Sequence, residues 1–258
     1  MSGVFDAYAA YYDLLYRDKD YVAEAAYLNA LIGEFLPGPR SILELGSGTG
    51  AHAGALARLG HRVTGCDRSE AMLARAAALR SGLPDEVAGR LRFGHGDIRD
   101  WRSGERHDVA ISLFHVFSYL PENADVAAAL ANAAAQLEPG GLLVFDFWYG
   151  PAVLSQRPET RVRELEDDRI RLMRVAEPEL DTGRDRVDVH YRLLVEERAT
   201  GRLQRLSESH RMRYFFKPAL EHFLALAGFE VLRFEEWLTG APLSPETWGA
   251  LVAARKRP

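Results

Sequence analysis

The chain has 258 residues, a length that fits one large domain or one domain with an insert. Hydrophobic residues make up 47% and charged residues 27%, so an ordinary globular core is expected and wholesale disorder is excluded. The net charge of −5 indicates no basic face of the kind that nucleic-acid enzymes use, and the single cysteine excludes an intramolecular disulfide.

The sequence also indicates where the protein works. Its first residues, "MSGVFDAYAAYYD", have neither a basic start nor an apolar segment, so no signal peptide is expected. No run of about 18 apolar residues occurs, so no transmembrane helix is expected. Together with the lone Cys66, these features predict a cytoplasmic protein that does not contact membranes.

Strand and helix patterns alternate through the first 150 residues. Apolar runs predict five buried strands, at 41–46, 61–67, 90–97, 107–114 and 142–149. Helical patterns lie between them at 51–60, 69–84 and 123–141; Ser69 is the expected N-cap of the second, and a Pro-Gly-Gly stop ends the third. This alternation predicts βαβ units and a parallel sheet covered on both faces.

The pattern changes after residue 150. Four alternating segments between 160 and 216 predict antiparallel strands, a helix follows at 217–228, and 229–237 and 247–256 look like two final strands. The predicted fold is therefore α/β, a doubly wound seven-stranded mostly parallel sheet with an antiparallel β insert after strand five. We expect the boundaries 1–157 for an N-terminal segment and core, 158–216 for the insert, and 217–258 for the rest of the core.

The glycine-rich segment "ILELGSGTGAH", from Ile42 to His52, follows the first predicted strand. Gly46, Gly48 and Gly50 let the backbone turn tightly and approach a ligand, which binds beyond the carboxyl ends of the strands. The spacing suits a dinucleotide or S-adenosylmethionine (SAM), so the glycines alone leave the cofactor open.

Acidic residues at the strand ends discriminate between these cofactors. Asp67 ends the second strand and suits the ribose hydroxyls of either one. Glu44 would repel a pyrophosphate at the helix N-terminus but attract the ammonium of the methionine part of SAM. Asp97, with the backbone N–H of Ile98, offers an acceptor and a donor for an adenine edge. These acids, on three successive strands, predict a SAM site.

At these residues the chain resembles the class I SAM-dependent methyltransferases. "LELGSGTG", the acid of "GCD" and "GHGDI" are similar to three motifs of that family, and the last two predicted strands are similar to its final pair. The resemblance covers most of 40–147 and 228–255. It implies SAM as the cofactor and leaves the acceptor open.

Three further segments resemble a narrower group, the N-methyltransferases of nucleotide-linked deoxyaminosugars in actinobacterial antibiotic pathways. They are "YYDLLYRDKDYVAEA", "FDFWYGP" and "SESHRMRYFF". The resemblance implies a small-molecule amine acceptor and an insert that packs over the acceptor pocket and helps to form a homodimer. It also implies an N-terminal lid across the cofactor, in which Tyr12 and Tyr21 bind the cofactor. Tyr16, a candidate catalytic residue, and Tyr21 then lie near the methyl group; the alternative is an amphipathic helix that uses these tyrosines at the edge of the core.

Several residues are candidates for the acceptor side. His115 follows strand four and is the first candidate for a base, whereas the neighbouring Phe117 and Tyr119 are expected to pack. Trp148 and Tyr149 offer a stacking surface after strand five. In the last strand of the insert, the candidates are His210 as a catalytic residue and Arg213 and Tyr214 for binding the acceptor.

Other functions remain open at this point. A small-molecule O-methyltransferase would depend more strongly on His115. An NAD(P)-dependent oxidoreductase fits the glycine pattern but not Glu44, and a non-catalytic SAM-binding protein is disfavoured by the aromatic segments. Neither a metal nor a nucleic-acid acceptor is expected, because no ligand cluster has metal spacing and the Asp/Asn-Pro-Pro-aromatic motif is absent.

Overall fold

The computed structural model describes residues 11–38 and 40–258. The first part of the chain forms a short helix α1 (Tyr12–Leu15), a long helix α2 (Tyr21–Phe35) and a strand β1 (Ser41–Leu45). The absence of a signal peptide was expected from a segment that lies mostly in residues 1–10, outside the described part. No helix within the described ranges is long and apolar enough to cross a membrane.

The nucleotide-binding half of the core alternates strands and helices as the sequence predicts. The elements in chain order are α3 (Ala51–Arg58), β2 (Arg62–Asp67), α4 (Glu70–Ser81), α5 (Asp85–Ala88), β3 (Leu91–His95), β4 (His107–Ser112), a 3₁₀ turn (Val116–Tyr119), α6 (Asn123–Gln136) and β5 (Leu137–Tyr149). The Ser69 hydroxyl accepts a hydrogen bond from the Met72 N–H, so the predicted N-cap of α4 is confirmed.

The second half of the chain contains the insert and the closing strands. Its elements are α7 (Gly150–Gln156), β6 (Arg161–Glu166), β7 (Ile170–Asp181), β8 (Arg186–Glu197), β9 (Leu203–Phe215), α8 (Lys217–Leu226), β10 (Phe229–Glu236) and β11 (Gly249–Lys256). The strands β6 to β9 pair in antiparallel fashion in sequence order. The helix α7 has no counterpart among the predicted elements.

Seven strands form the core in the order β3, β2, β1, β4, β5, β11, β10. The first five are parallel, and β11 runs antiparallel to β5. Apolar side chains alternate between the two faces of β1: Leu43 and Leu45 pack with α6 and α8, and Ile42 packs with α2 and α3. The fold class predicted from the sequence is confirmed.

The core and the insert share one continuous sheet. Strand β4 pairs with β5 only as far as Phe145, and β9 takes over that edge by pairing in parallel with Trp148 and Tyr149. The insert therefore extends the core sheet exactly where the carboxyl ends of its strands lie, which is the edge at which ligands bind in this architecture.

One predicted boundary is wrong. The third helix was expected to run through the Pro-Gly-Gly stop, but α6 ends at Gln136 and β5 begins at Leu137. Leu137 pairs with His107, and an irregularity in the register between His107 and Val109 accommodates the Pro-Gly-Gly within the strand. Gly140 takes a positive φ of 79° there, which explains why a turn sequence sits inside a strand.

Candidate active site

A cavity of about 610 Å³ lies beyond the carboxyl ends of the parallel strands. Its floor is the loop between β1 and α3, its roof includes the tyrosines of the N-terminal segment, and its far wall comes from the insert. The predicted site residues on its wall are Tyr12, Tyr16, Tyr21, Gly46, Gly48, Asp67, Asp97, Ile98, His115, Trp148 and His210. The fold thus brings together residues that lie up to 198 positions apart in the chain, from Tyr12 to His210.

Steric crowding explains the glycines of the loop. A Cβ at Gly46 would lie 2.7 Å from the Val116 side chain, and one at Gly50 would lie 2.7 Å from the Phe93 ring. Both glycines also have positive φ, at 81° and 74°. Gly50 is therefore the N-cap of α3 rather than part of the cavity wall.

Glu44 lies beneath this loop and is 1% exposed. Its Oε2 atom has no hydrogen-bond partner within the described part of the chain, and its Oε1 atom is 3.9 Å from Nδ1 of His52. Burial and the neighbouring Asp67 raise the pKa of Glu44 to about 8. An unsatisfied buried carboxyl is costly, and a cation brought close to it would offset that cost.

Asp67 is held by the loop that it supports. Its carboxylate accepts hydrogen bonds from the N–H of Gly48 at 2.8 Å and from the N–H of Ser69 at 2.9 Å. Burial raises the pKa of this carboxyl. Each carboxylate oxygen keeps a second lone pair, so Asp67 can still accept hydrogen bonds from ribose hydroxyls.

Asp97 is engaged more fully than its motif suggests. The Arg99 guanidinium contacts both carboxylate oxygens, with Nε–Oδ1 at 2.8 Å and the second nitrogen 2.7 Å from Oδ2. These bonds hold the pKa of Asp97 below its usual value. Arg99 also donates to Asp125, so Asp97, Arg99 and Asp125 form an ion triad at the position where an adenine edge was expected to bind. The role of Asp97 toward adenine stays a prediction.

His115 stands at the junction of the two halves of the cavity. Its backbone N–H donates to Oδ1 of Asp146, and its Nδ1 lies 2.9 Å from Oδ2 of the same carboxylate. Phe114 and His115 both have positive φ, at 68° and 61°. Two consecutive non-glycine residues in this conformation are strained, and such strain persists where the surrounding structure holds it for function.

The insert contributes a second histidine. Nε2 of His210 lies 3.2 Å from the Glu208 carboxylate, and its Nδ1 lies 2.7 Å from the Tyr119 hydroxyl. Because a carboxylate only accepts, a neutral His210 donates from Nε2 and accepts from Tyr119 at Nδ1. Tyr119 packs against an apolar cluster, as expected, and also lies on the cavity wall. Phe117 packs as expected, stacked on Phe145.

Three predicted acceptor residues lie off the cavity wall. Trp148 is on the wall, so the alternation along β5 turns Tyr149 to the opposite face, where it packs on the core. Arg213 is 8% exposed and stacks on Phe215, and burial lowers its pKa. Tyr214 packs in an apolar cluster beneath the insert.

Several residues on the cavity wall were not among the predicted site residues. They include His52 from α3, at the end of the glycine-rich segment, Arg174 and Tyr191 from the insert, and Trp248 from the segment before β11. The Arg174 guanidinium lies 5.4 Å from the Tyr191 ring, and Trp248 meets Trp148 edge-on at 5.7 Å. Arg174, Tyr191 and Trp248 carry no motif, and the pairing of β8 with β7 and of β11 with β5 brings them to the cavity.

The residues present fit SAM. The orphaned oxygen of Glu44 suits an ammonium, Asp67 suits ribose hydroxyls, and the loop between them follows a tight path that requires glycine at Gly46 and Gly50. Within the described residues no group of three or more His, Cys, Asp or Glu side chains could hold a metal ion. Fold and site together define a class I SAM-dependent methyltransferase.

Comparisons with known proteins give the same class and a narrower family. A family model described as a methyltransferase domain matches residues 42–141. An N,N-dimethyltransferase of dTDP-3-amino-3,4,6-trideoxy-alpha-D-glucopyranose from Streptomyces venezuelae is 30% identical, over 91% of this chain and 93% of that enzyme. An N,N-dimethyltransferase of dTDP-3-amino-3,6-dideoxy-alpha-D-glucopyranose from Streptomyces fradiae is 31% identical, over 96% and 91%.

Solved structures extend the similarity. The SAM-bound amino pentose methyltransferase CalS10 from Micromonospora echinaspora superposes with a TM-score of 0.75 at 28% identity, covering 99% of both chains. The chain belongs to the same SAM-dependent methyltransferase family as the two N,N-dimethyltransferases, and SAM is its cofactor.

The raised pKa of Glu44 predicts a pH-dependent change in stability. Between about pH 4.5 and pH 8 the unfolded state loses the Glu44 proton while the folded state keeps it, so stability falls as pH rises. Glu44→Gln removes this cost. In urea unfolding the stability of the variant relative to wild type should increase from pH 5 to pH 8.5, by at most about 1.4 kcal/mol per unit of pKa shift.

Glu230→Gln, at an exposed position on β10, is the control and should show no such trend. A stability difference for Glu44→Gln that stays constant with pH would contradict the burial cost assigned to this carboxyl.

Proposed function

We propose that the protein transfers methyl groups from SAM to the amino group of a nucleotide-linked deoxyaminosugar in antibiotic biosynthesis. The observation that carries the proposal is the second half of the cavity, where Trp148, Trp248 and Tyr119 surround His115 beneath the insert. Two enzymes of the same family are named for N,N-dimethylation of dTDP-linked aminosugars, which gives the proposal its substrate class.

The reaction depends more on aligning the amine with the methyl group than on a strong base. Bound SAM would supply an electrophilic methyl group on its sulfonium. The lone pair of the amine would attack this carbon in line, so that the C–N bond forms as the C–S bond breaks and S-adenosylhomocysteine leaves. Asp146 holds the backbone N–H of His115, and we propose that the His115 ring accepts the proton that the amine releases. Tyr16 and His210 line the same cavity, and we propose that they orient the acceptor there.

The same geometry supports further parts of the proposal. Tyr12, Tyr21, Glu44, Asp67, Asp97 and Ile98 are the residues that we expect to hold the cofactor, and Trp148 the acceptor. A nucleic-acid acceptor is disfavoured by the net charge of −5 and by the roofed cavity. A small metabolite acceptor and a single buried cysteine fit work in the cytoplasm.

An assay against matched acceptors tests the reaction. The protein is incubated with SAM and nucleotide-linked deoxysugars that carry an amino group at C3 or C4, and the products are weighed by mass spectrometry. We expect at least one aminosugar to gain the mass of one or two methyl groups. Counterparts with a hydroxyl at the same carbon are the controls, and methylation of these alone would show that the acceptor class is wrong.

The His115–Asp146 pair also suits an O-methyltransferase, which is the second candidate function. An amine is partly neutral near pH 7, so His115→Ala should lower kcat by less than about tenfold. If the acceptor were a hydroxyl, the same substitution would lower kcat by about 10²–10⁴-fold. His222→Ala, an exposed histidine of α8, is the control. Calorimetry with S-adenosylhomocysteine checks that the cofactor site of each variant is intact.

We also propose that the outer face of the insert joins two copies of the chain. The residues Val162 and Leu203 are 57% and 62% exposed there, on the same face as the paired Met173 and Leu194. Light scattering should show a dimer, and Met173→Lys with Leu194→Lys should shift it to a monomer. Leu226→Lys, at an exposed position of α8, should leave the dimer intact, and a monomeric wild type would refute this interface.

A further inference from the structure

A chain of charged side chains connects the N-terminal lid to the floor of the cofactor site. The Lys19 ammonium contacts the Glu24 carboxylate, and the other oxygen of Glu24 lies 2.6 Å from Nε2 of His52. Nδ1 of His52 faces Oε1 of Glu44 at 3.9 Å. Glu24, His52 and Glu44 are all buried, at 5%, 6% and 1% exposure. The sequence motifs pointed to Glu44 alone and did not connect it with His52 or Glu24.

Charge burial of this kind is expensive. A buried ion pair roughly breaks even against apolar side chains of similar size, so its presence calls for a reason other than stability. An apolar side chain could have stood in place of His52, the second residue of α3, and in place of Glu24, in the first turn of α2. Instead, His52 lies between two carboxyls, and one of these, Glu44, has an oxygen without a partner in the described ranges.

The hydrogen-bond partners determine where the protons lie. Burial would raise the pKa of Glu24, but hydrogen bonds from His52 and Lys19 lower it below its usual value, so Glu24 is ionised. An ionised carboxylate only accepts, so Nε2 of His52 carries a proton and donates it. Burial beside Asp67 raises the pKa of Glu44 to about 8, so the Glu44 carboxyl holds a proton near neutral pH.

The other end of this series of charged side chains, Lys19, belongs to the lid. Lys19 lies between α1 and α2, and its Nζ atom is 4.5 Å from the Phe114 ring and 5.4 Å from the Tyr21 ring. The Tyr21 ring in turn meets the His52 ring edge-on at 4.9 Å. A change of charge at His52 therefore directly alters its electrostatic interactions with the residues that cover the cofactor site.

We propose that His52 is a positioning residue that couples capture of the cofactor's ammonium to closure of the lid. With an ammonium beside Glu44, its O–H bond breaks and an Nδ1–H bond forms on His52, with no net proton gained or lost. The signs then alternate from Lys19 through Glu24, His52 and Glu44 to the ammonium. Each neighbour attracts the next, and the imidazolium grips Glu24, and with it the lid, more strongly than a neutral ring does.

A pair of ligands isolates this effect. S-Adenosylhomocysteine carries the ammonium, and 5′-methylthioadenosine has the same nucleoside without it. By calorimetry, His52→Gln should weaken binding of the first by about 10–100-fold, the range of one charge-assisted hydrogen bond, and leave the second nearly unchanged. Equal losses for both ligands would show that His52 only supports the loop, and would overturn the proposal.

A matched histidine provides the control. His61 is also buried, but its ring lies 2.7 Å from the Asn29 side-chain oxygen and accepts from the Arg40 N–H, and within residues 11–38 and 40–258 it has no carboxylate partner. His61→Gln should leave the ratio of the two affinities unchanged. Glu24→Gln removes the other charged neighbour of His52 and should lower the preference for S-adenosylhomocysteine over 5′-methylthioadenosine, as His52→Gln does. An unchanged ratio of affinities in Glu24→Gln would contradict the proposed series of contacts.

Two measurements on the wild-type protein need no variant. In NMR spectra the His52 ring should move to the imidazolium shifts with S-adenosylhomocysteine and stay neutral with 5′-methylthioadenosine. Trypsin cleavage after Arg17 or Lys19 should slow with the first ligand more than with the second. A neutral His52 in the S-adenosylhomocysteine complex would overturn the proposal. No acceptor is present in any of these tests, so they are independent of the proposed aminosugar.

Discussion

The burial of the Glu44 carboxyl at the end of β1 is the constraint on which the cofactor site depends. A carboxyl cannot stay there without cost unless a cation or a proton accompanies it, and the loop above it packs so closely against Val116 and Phe93 that it requires glycines. The Asp67 carboxylate accepts a hydrogen bond from the Gly48 N–H of the same loop, and β9 extends the sheet at the same edge. The glycine-rich loop, the N-terminal segment and the insert therefore all line one cavity where the parallel strands end.

Much of this site could be predicted because its residues lie next to features that are local in sequence. Glu44 and Asp67 each sit at the end of an apolar strand, and the glycine spacing marks the turn between strand and helix. Parallel strands with the same direction bring such ends together, whatever the details of packing. Strand alternation also yielded the antiparallel insert, since each of its strands has one charged face.

The rest depends on distances that the sequence does not contain. Arg99 occupies both oxygens of Asp97, although an arginine two residues after an acid looks like an ordinary surface residue. Tyr149 was paired with Trp148 as a stacking surface, but neighbours on a strand face opposite ways. Arg213 and Tyr214 were assigned to the pocket from a strand whose cavity-facing part ends at Met212. The strand boundary at Leu137 depends on an irregular register with β4, which no turn motif reveals.

The lid is attached to the insert as well as to the cofactor floor. Leu15 of α1 packs in one apolar cluster with Leu165, Leu172, Leu193 and Val195 of the insert. The roof over the cofactor and the wall around the acceptor are thus one packed body at this point. In evolution, an insert reshaped for a new acceptor must keep a surface that still seats Leu15. Transplanting the insert into another enzyme of this fold would consequently require residues 11–20 to travel with it, because the packing around Leu15 joins the two segments.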